Sequence, residues 1–260
     1  MGTLLFVGAG LSDEEGLPRR SVVELSSCDA VFAEEYTATL APGSLERLAA
    51  VLSRPVIRLE REDVERPEAI LAALRRSARV GFLTAGDPFA ATTHVALRLA
   101  AEREGHEWSY WPNASVVTAA PGLLGLQAYR FGRTTSLPFP TPGFAPTSPL
   151  ETIGANRADG LHSLVLLDLR PSDRRFMTAN EALALFDERD PSGRWVPSDA
   201  LVAVVARVGT PSADAWVGRR TELRSADFGP PLHCLVVPGP RLHFEEEAAV
   251  DRFRWPRTNR

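Results

Sequence analysis

The residues with the clearest chemical potential lie in a tight turn that follows an apolar segment. Val80–Leu83 is apolar, Thr84–Pro88 reads TAGDP, and Ala90–Ala101 has the pattern of a helix. Ligands of open α/β sheets bind at the carboxyl ends of strands, where turns expose backbone groups beside a helix N-terminus. Asp87 is the charged side chain of this turn. It either forms a structural Asx-turn or binds the polar end of a ligand.

A second candidate turn, Gly8-Ala9-Gly10, follows the first apolar segment of the chain. The third glycine of the G-x-G-x-x-G fingerprint would fall at Asp13, so the nicotinamide-binding motif fails. The two glycines are still consistent with a flexible turn, which would let a ligand approach the backbone. The sequence contains no H-E-x-x-H, C-x-x-C, P-loop or G-x-S-x-G motif, and we expect no metal site. Cys28 and Cys234 lie in apolar contexts and are expected to be buried thiols.

The two candidate turns lie at the ends of predicted strands, in a part of the chain where strands and helices alternate. Apolar segments with helical stretches between most of them predict a mostly parallel sheet in the first part of the chain. These strands are Thr3–Val7, Ala30–Ala33, Val56–Leu59, Val80–Leu83 and Trp108–Trp111. Beyond Pro112 the strands are more widely spaced, at Thr134–Pro138, Ser163–Leu169, Leu201–Arg207 and Leu232–Val237. The pattern predicts an α/β protein with domains at 1–111 and 112–247 and a tail at 248–260.

Four helices can be placed from the pattern. Two are Ser44–Leu52 and Pro67–Arg76, a third runs from Asn113 or Ser115 to Ala128, and the fourth covers Thr178–Asp187. Thr178 with Glu181 three residues later forms the signature of a capping box at the fourth helix.

The composition is that of a soluble globular protein. The 260 residues are 44% hydrophobic and 24% charged, with a formal net charge of −4. No apolar run approaches the roughly 20 residues that span a bilayer, and the N-terminus lacks a signal-peptide pattern. The net negative charge argues against a nucleic-acid surface. We therefore expect a cytoplasmic protein without membrane or nucleic-acid partners.

Blocks of sequence along most of the chain resemble the diphthine synthases, which are tetrapyrrole-methylase-like, S-adenosylmethionine (SAM) dependent methyltransferases. The blocks occur in the family's order. They are Phe6–Leu11, Cys28–Thr37, Arg61–Glu65, Arg79–His94, Gly125–Gly132, Pro146–Ser148, Gly160–Asp168, Met177–Ala182, Asp227–Gly229 with His233, and Val236–Gly239.

This resemblance implies a two-domain tetrapyrrole-methylase-like fold, with a mostly parallel N-terminal sheet, a mixed C-terminal sheet and SAM in the cleft between the domains. It also implies a set of cofactor contacts, which are Leu11, Asp87, Ala90, Ser115, Val116, Leu167, Val208 and His233. Taken alone, Leu167 and Val208 are typical core residues, and His233 is typical of a structural hydrogen-bonding group. Ala90 replaces a larger aliphatic residue of the family, and Ala114 replaces its usual proline.

The resemblance further implies that the chain methylates the amino group of the modified histidine in translation elongation factor 2. The product is diphthine, with S-adenosyl-L-homocysteine released. A homodimer is expected, in agreement with a proline-rich apolar stretch from Leu137 to Pro149. Two alternatives remain, a methyltransferase of tetrapyrrole (precorrin-type) rings and a non-catalytic protein-binding module with this fold.

Methyl transfer from a sulfonium depends more on alignment than on acid or base strength, so the sequence assigns no catalytic residue. If a base assists, Glu34, Glu35 and Tyr36 are the first candidates, and Tyr36 could also line a pocket for the methylated cation. His94 is expected to be structural.

Charged residues outside these segments allow two further expectations. Arg130 and Arg133 are either docking residues for the protein substrate or solvated cations at a helix end. The run Glu245-Glu246-Glu247 is interpreted as a solvated face.

Overall fold

The computed structural model describes residues 1–256, which divide into two compact units between Val116 and Val117. The sequence places its domain boundary slightly earlier, at 111/112. The segment expected to be a tail from 248 is packed through most of its described part, since the backbone N–H of Trp255 donates to the carbonyl of Val217 at 2.8 Å. The last four residues of that expected tail lie outside the described residues.

The first unit is a parallel sheet with helices around it. Its strands are β1 Thr3–Gly8, β2 Ala30–Glu34, β3 Val56–Leu59, β4 Arg79–Thr84 and β5 Glu107–Trp111, in the order β3-β2-β4-β1-β5. Its helices are α1 Arg19–Ser26, α2 Ser44–Leu52, α3 Arg61–Glu65, α4 Glu68–Leu74 and α5 Val95–Arg103.

Both faces of this sheet are covered, because successive residues of a strand point to opposite sides. In β1, Leu5 and Val7 pack into one apolar cluster, whereas Leu4 and Phe6 pack into another. A strand that is apolar throughout is typical of a parallel sheet buried between two helix layers. The sheet predicted from the alternation of strands and helices is confirmed.

The second unit contains a mixed sheet. Helix α6, Val116–Leu124, leads into it. Its strands are β6 Thr135–Leu137, β7 Ser163–Leu167, β10 Leu201–Ala206, β11 Asp214–Arg219 and β12 His233–Val237, in the order β11-β10-β12-β7-β6. A small hairpin is formed by β8 Leu169–Arg170 and β9 Arg175–Phe176, and the helices are α7 Ser148–Ala158, α8 Ala179–Arg189, α9 Arg220–Leu223 and α10 Phe244–Asp251.

Only the pair β6–β7 is parallel in this second sheet, and its other pairs are antiparallel. The predicted mixed sheet is therefore confirmed. Thr178 caps α8 as predicted, because its side chain accepts a hydrogen bond from the backbone N–H of Glu181. No helix within residues 1–256 combines the length and apolarity needed to cross a membrane.

One predicted helix start and one predicted helix end were wrong. The helix expected from Ala90 begins at Val95, because Ala91 has a positive φ of 58° and the Thr92 hydroxyl donates to the Pro88 carbonyl. The helix expected from Asn113 or Ser115 to Ala128 covers only Val116–Leu124.

Candidate functional site

The turns after β1 and β4 form one paired structure at the carboxyl edge of the first sheet. The backbone N–H of Gly10 donates to the Gly86 carbonyl at 3.1 Å, and the N–H of Gly86 donates back at 2.6 Å. Both glycines have positive φ, 80° and 73°, which favours glycine. A Cβ added to Gly8 would lie 2.6 Å from the Gly86 carbonyl oxygen, whereas one added to Gly86 would enter open space. The edge is thus tightly packed at Gly8 and open at Gly86.

Asp87 holds this edge together. It is 8% exposed, and its Oδ1 accepts a hydrogen bond from the N–H of Phe89 at 2.9 Å, which makes an Asx-turn. Its Oδ2 accepts from the Tyr110 hydroxyl at 2.6 Å and from the N–H of Asn113 at 3.2 Å. Burial, with the Asp87 carboxylate as acceptor, raises the pKa of Tyr110 to about 12, so the phenol stays protonated and donates. Asp87 therefore orders the turn and is also its charged side chain.

Asn113 is a central residue of the edge that sequence analysis did not single out. Its side-chain amide donates to the carbonyls of Gly8 and Gly16, both at 3.0 Å, and its Oδ1 accepts from the N–H of Ala114 at 2.8 Å. It therefore connects the segment after β5 to the turn after β1. Its position directly after a strand, next to Pro112, was the available signal.

The structure brings the predicted contacts of the first unit to this edge. Leu11 directly follows the Gly10 turn and is half-buried, and Ala90 closes the Asp87 turn through an N–H bond to the Asp87 carbonyl at 3.3 Å. Ser115 is 7% exposed, and Val116 begins α6 three residues after Asn113.

The three remaining predicted contacts share one edge of the second sheet. Leu167 ends β7, His233 begins β12, and Val208 lies in the turn two residues after β10. The register pairs Ala206 with His233 and Leu166 with Cys234, so the antiparallel arrangement brings the three positions to neighbouring strand ends. Val208 is half-buried rather than a core residue of a strand.

His233 has a defined proton arrangement. It is 6% exposed, and its Nδ1 accepts the N–H of Ala179 at 3.1 Å, which leaves the proton of the neutral ring on Nε2. Among residues 1–256, Nε2 has no hydrogen-bond partner of acceptable geometry, although the nearby carbonyls of Pro230 and Phe228 act to raise the pKa of the ring. Burial, followed by the Arg207 charge, nevertheless lowers the pKa to about 4. The ring is a buried neutral donor at neutral pH.

The three candidate bases lie at and after the end of β2. Glu34 is 1% exposed, and its Oε2 accepts the N–H groups of Tyr36 and Thr37, both at 3.0 Å. Glu35 pairs with Arg58, and burial raises its pKa. Burial and the Glu34 charge also raise the pKa of Tyr36, whose ring carries the Arg61 guanidinium carbon 5.2 Å from its centroid. Tyr36 was expected to line a pocket for the methylated cation, but one face of its ring already lies next to the Arg61 guanidinium.

Two charge assignments need correction. Glu246 is 0% exposed, so the acidic run is not uniformly solvated, and its carboxylate binds Arg130 and, at 3.0 Å, the Nε2 of His162. Arg130 also donates to the carbonyls of Gly160 and Arg241, so its guanidinium is bound within its own unit and does not form a free docking group. Arg133 is exposed.

Within residues 1–256, no group of three or more His, Cys, Asp or Glu side chains is arranged to hold a metal ion. The polar groups described here instead hold turns at two strand edges. Such edges bind organic ligands through backbone groups and a few directed side chains.

The fold is that of a class of methyltransferases, and the sequence profile of the tetrapyrrole (corrin/porphyrin) methylases matches residues 3–224. The chain belongs to this family, and relatives that match it over nearly their whole length include diphthine synthases. The diphthine synthase of Methanosphaera stadtmanae is 39% identical over 250 residues, covering 95% of this chain and 94% of that protein. That of Methanoregula boonei is 42% identical, covering 96% and 98%.

Solved structures agree. A crystal structure of diphthine synthase has a TM-score of 0.89 at 32% identity, covering 97% of this chain and 96% of that one. The putative diphthine synthase of Entamoeba histolytica has a TM-score of 0.87 at 31% identity, covering 99% and 100%. The predicted family, fold class and enzyme class are confirmed.

Proposed function

We propose that this chain transfers a methyl group from SAM to the amino group of the modified histidine of translation elongation factor 2, which produces diphthine. The observation that carries this proposal is the similarity to diphthine synthases over nearly the whole length of both chains. It favours this activity over methylation of a tetrapyrrole ring and over a non-catalytic binding module. The site of action would be the cytoplasm, where the elongation factor works.

The residues present fit SAM as the methyl donor. Within the described residues, the buried Nε2–H of His233 is a donor without a partner of acceptable geometry, and the positive-φ turn at Gly86 has open space beside it. Both features suit an adenosine or amino-acid portion that makes directed hydrogen bonds to an exposed backbone edge. We assign the contacts to the predicted set, which is Leu11, Asp87, Ala90, Ser115, Val116, Leu167, Val208 and His233.

Bound SAM supplies an electrophilic methyl group on a sulfonium. The protein's contribution is to hold its own groups rigidly, because alignment can lower a bimolecular barrier by roughly 7–11 kcal/mol. Asp87 fixes the turn after β4, Asn113 fixes the turn after β1, and His233 presents a neutral donor. An α-amino-type acceptor with a pKa near 8 loses its proton at pH 7 for only about 1–2 kcal/mol, so a dedicated base is unnecessary.

Replacing Asp87 with alanine should weaken binding of S-adenosyl-L-homocysteine by about tenfold or more. The variant loses the three hydrogen bonds that order the turn and also loses its charge, and bonds to charged groups contribute about 1.5–3 kcal/mol each. Calorimetric titration measures the affinity. Asp87→Asn is an intermediate variant, because it keeps an Oδ1 acceptor for the N–H of Phe89 but replaces the charged Oδ2 acceptor with an amide donor. An alanine variant that binds as tightly as the native protein would remove Asp87 from the site.

We also propose that the protein is a homodimer. The stretch from Leu137 to Pro149 offers less support than expected, because Leu137 and Phe139 are buried and Arg189 donates to the Pro138 and Pro146 carbonyls. Light scattering should give twice the chain mass of 28.3 kDa. A mass equal to one chain would refute the dimer.

The activity is tested by incubating the protein with labelled SAM and elongation factor 2 carrying the unmethylated precursor of diphthine. We expect label on the modified histidine and none on a factor whose target histidine is replaced. A parallel reaction with a precorrin-type tetrapyrrole tests the alternative substrate. Label on the tetrapyrrole alone, or on neither substrate despite SAM binding, would contradict the proposal.

A further inference from the structure

The buried carboxylate of Glu34 joins the ends of two neighbouring strands. The register pairs Glu34, at the end of β2, with Thr84, at the end of β4. The Oε1 atom of Glu34 accepts hydrogen bonds from the hydroxyls of Thr84 and Thr37, while Oε2 accepts the N–H groups of Tyr36 and Thr37. Both residues of the strand pair are 1% exposed. The carboxylate thus fixes the turn after β2 to the strand that leads into the Asp87 turn.

His94 lies between the same carboxylate and the Pro88 carbonyl of the turn after β4. It is 0% exposed, and its Nδ1 lies 2.9 Å from the Pro88 carbonyl oxygen. A carbonyl can only accept, so Nδ1 carries the proton of the neutral ring. The Nε2 atom lies 3.7 Å from Oε1 of Glu34, which is too far for a hydrogen bond, and it has no hydrogen-bond partner in the described part of the chain. The ring also packs edge-on against Phe82 of β4, with centroids 4.9 Å apart.

The hydrogen bonds of the buried Glu34 carboxylate reach beyond the apolar core. Taking a carboxylate out of water is costly, and Glu34 recovers that cost through bonds that end at two turns rather than within a helix. A packed apolar pair would stabilise the same strands without it. The hydrogen bonds of Glu34 couple the turn after β2 to the end of β4. The His94 ring extends this assembly by packing, because it contacts Phe82 and its Nδ1 binds the Pro88 carbonyl.

We propose that Glu34 and His94 are positioning residues for methyl transfer, which hold the turns after β2 and β4 in a fixed relation. This inference rests on the proposed function for its kinetic consequence, but the coupling itself is a property of the unliganded protein. A displacement of about 1 Å at a distance from the chemistry can reduce a rate about a hundredfold. Loosening the assembly should therefore lower kcat more than it weakens cofactor binding.

The coupling is tested by hydrogen exchange on the unliganded Thr84→Val variant. Valine has nearly the shape of threonine but cannot donate to Glu34. We expect faster exchange in both residues 35–37 and residues 85–90, with the strands of the sheet still protected, and Thr84→Ser should restore native exchange. Thr152→Val is the matched control, because the Thr152 hydroxyl donates only to the Ser148 carbonyl in its own helix. Faster exchange confined to one turn, or none, would refute the coupling.

The kinetic consequence is measured on the same variants and on His94→Phe, which keeps a ring against Phe82 and removes both nitrogens. We expect kcat to fall about tenfold to a hundredfold in Thr84→Val and His94→Phe, while the Kd for S-adenosyl-L-homocysteine changes less than threefold. Thr84→Ser should retain kcat. Equal losses in kcat and affinity, or a native kcat, would refute the positioning role. Failure of the native protein to methylate the elongation factor would instead refute the proposed function, and the exchange result would still decide the coupling.

Discussion

Replacing Glu246 with alanine should lower the free energy of unfolding by about 3–5 kcal/mol, the usual cost of removing one partner of a buried ion pair. The carboxylate is completely buried, and it accepts hydrogen bonds from Arg130, from His162 at 3.0 Å, and from the N–H groups of Gln127 and His243, both at 2.9 Å. Its loss would leave a guanidinium and several donors without their acceptor. Denaturant unfolding followed by circular dichroism measures the change.

Glu247→Ala is the matched control, because Glu247 is exposed on the same helix. Surface substitutions of this kind usually change stability by no more than about 0.5 kcal/mol. Similar losses in the two variants would show that the Glu246 contacts contribute little to stability.

Glu246 also shows where sequence interpretation failed. Residue type alone does not distinguish the three consecutive glutamates. Successive helical residues are separated by about 100° around the helix axis, so only one of the three side chains points inward. Its partners Arg130 and His162 are 116 and 84 residues away along the chain. Nothing in the local pattern indicates such contacts.

Strands and helices with strong local signals were predicted well. Val56–Leu59 and Ser44–Leu52 have the predicted bounds, and the Thr178 cap is formed as expected. Strand β11, Asp214–Arg219, was not predicted, because this short edge strand follows a turn-rich segment and carries a glycine and an arginine at its end. Its pairing with β10 decides its conformation.

In the candidate site, too, the features with a local sequence signal were predicted and those that depend on distant residues were not. The Asp87 turn was predicted because glycine, aspartate and proline specify a turn locally. The role of Asn113 was missed because its acceptor, the Gly8 carbonyl, is 105 residues away. The link from Glu34 to Thr84 spans 50 residues and depends on strand register, which single-sequence patterns do not define.

Acidification from pH 6.5 to pH 4 should destabilise the protein, with His233 alone contributing about 3 kcal/mol. Burial and the Arg207 charge lower the folded-state pKa of His233 from 6.5 to about 4, so the unfolded chain binds a proton more readily in this range. The contribution of His233 is complete above the unfolded pKa and is lost as the pH falls toward the folded pKa. Denaturant unfolding at several pH values between 4 and 7.5 measures the dependence.

The variant His233→Gln isolates this contribution, because glutamine can still accept the N–H of Ala179 but does not titrate. His94 and His162 also have pKa values lowered by burial, so the variant should keep part of the acid sensitivity. We expect the difference in unfolding free energy between native protein and variant to shrink by about 3 kcal/mol from pH 7 to pH 4, a change that reflects one proton. Parallel stability curves would mean that His233 titrates normally. The ring would then gain a proton near pH 6.5, and its buried environment would not favour the neutral donor assigned to the site.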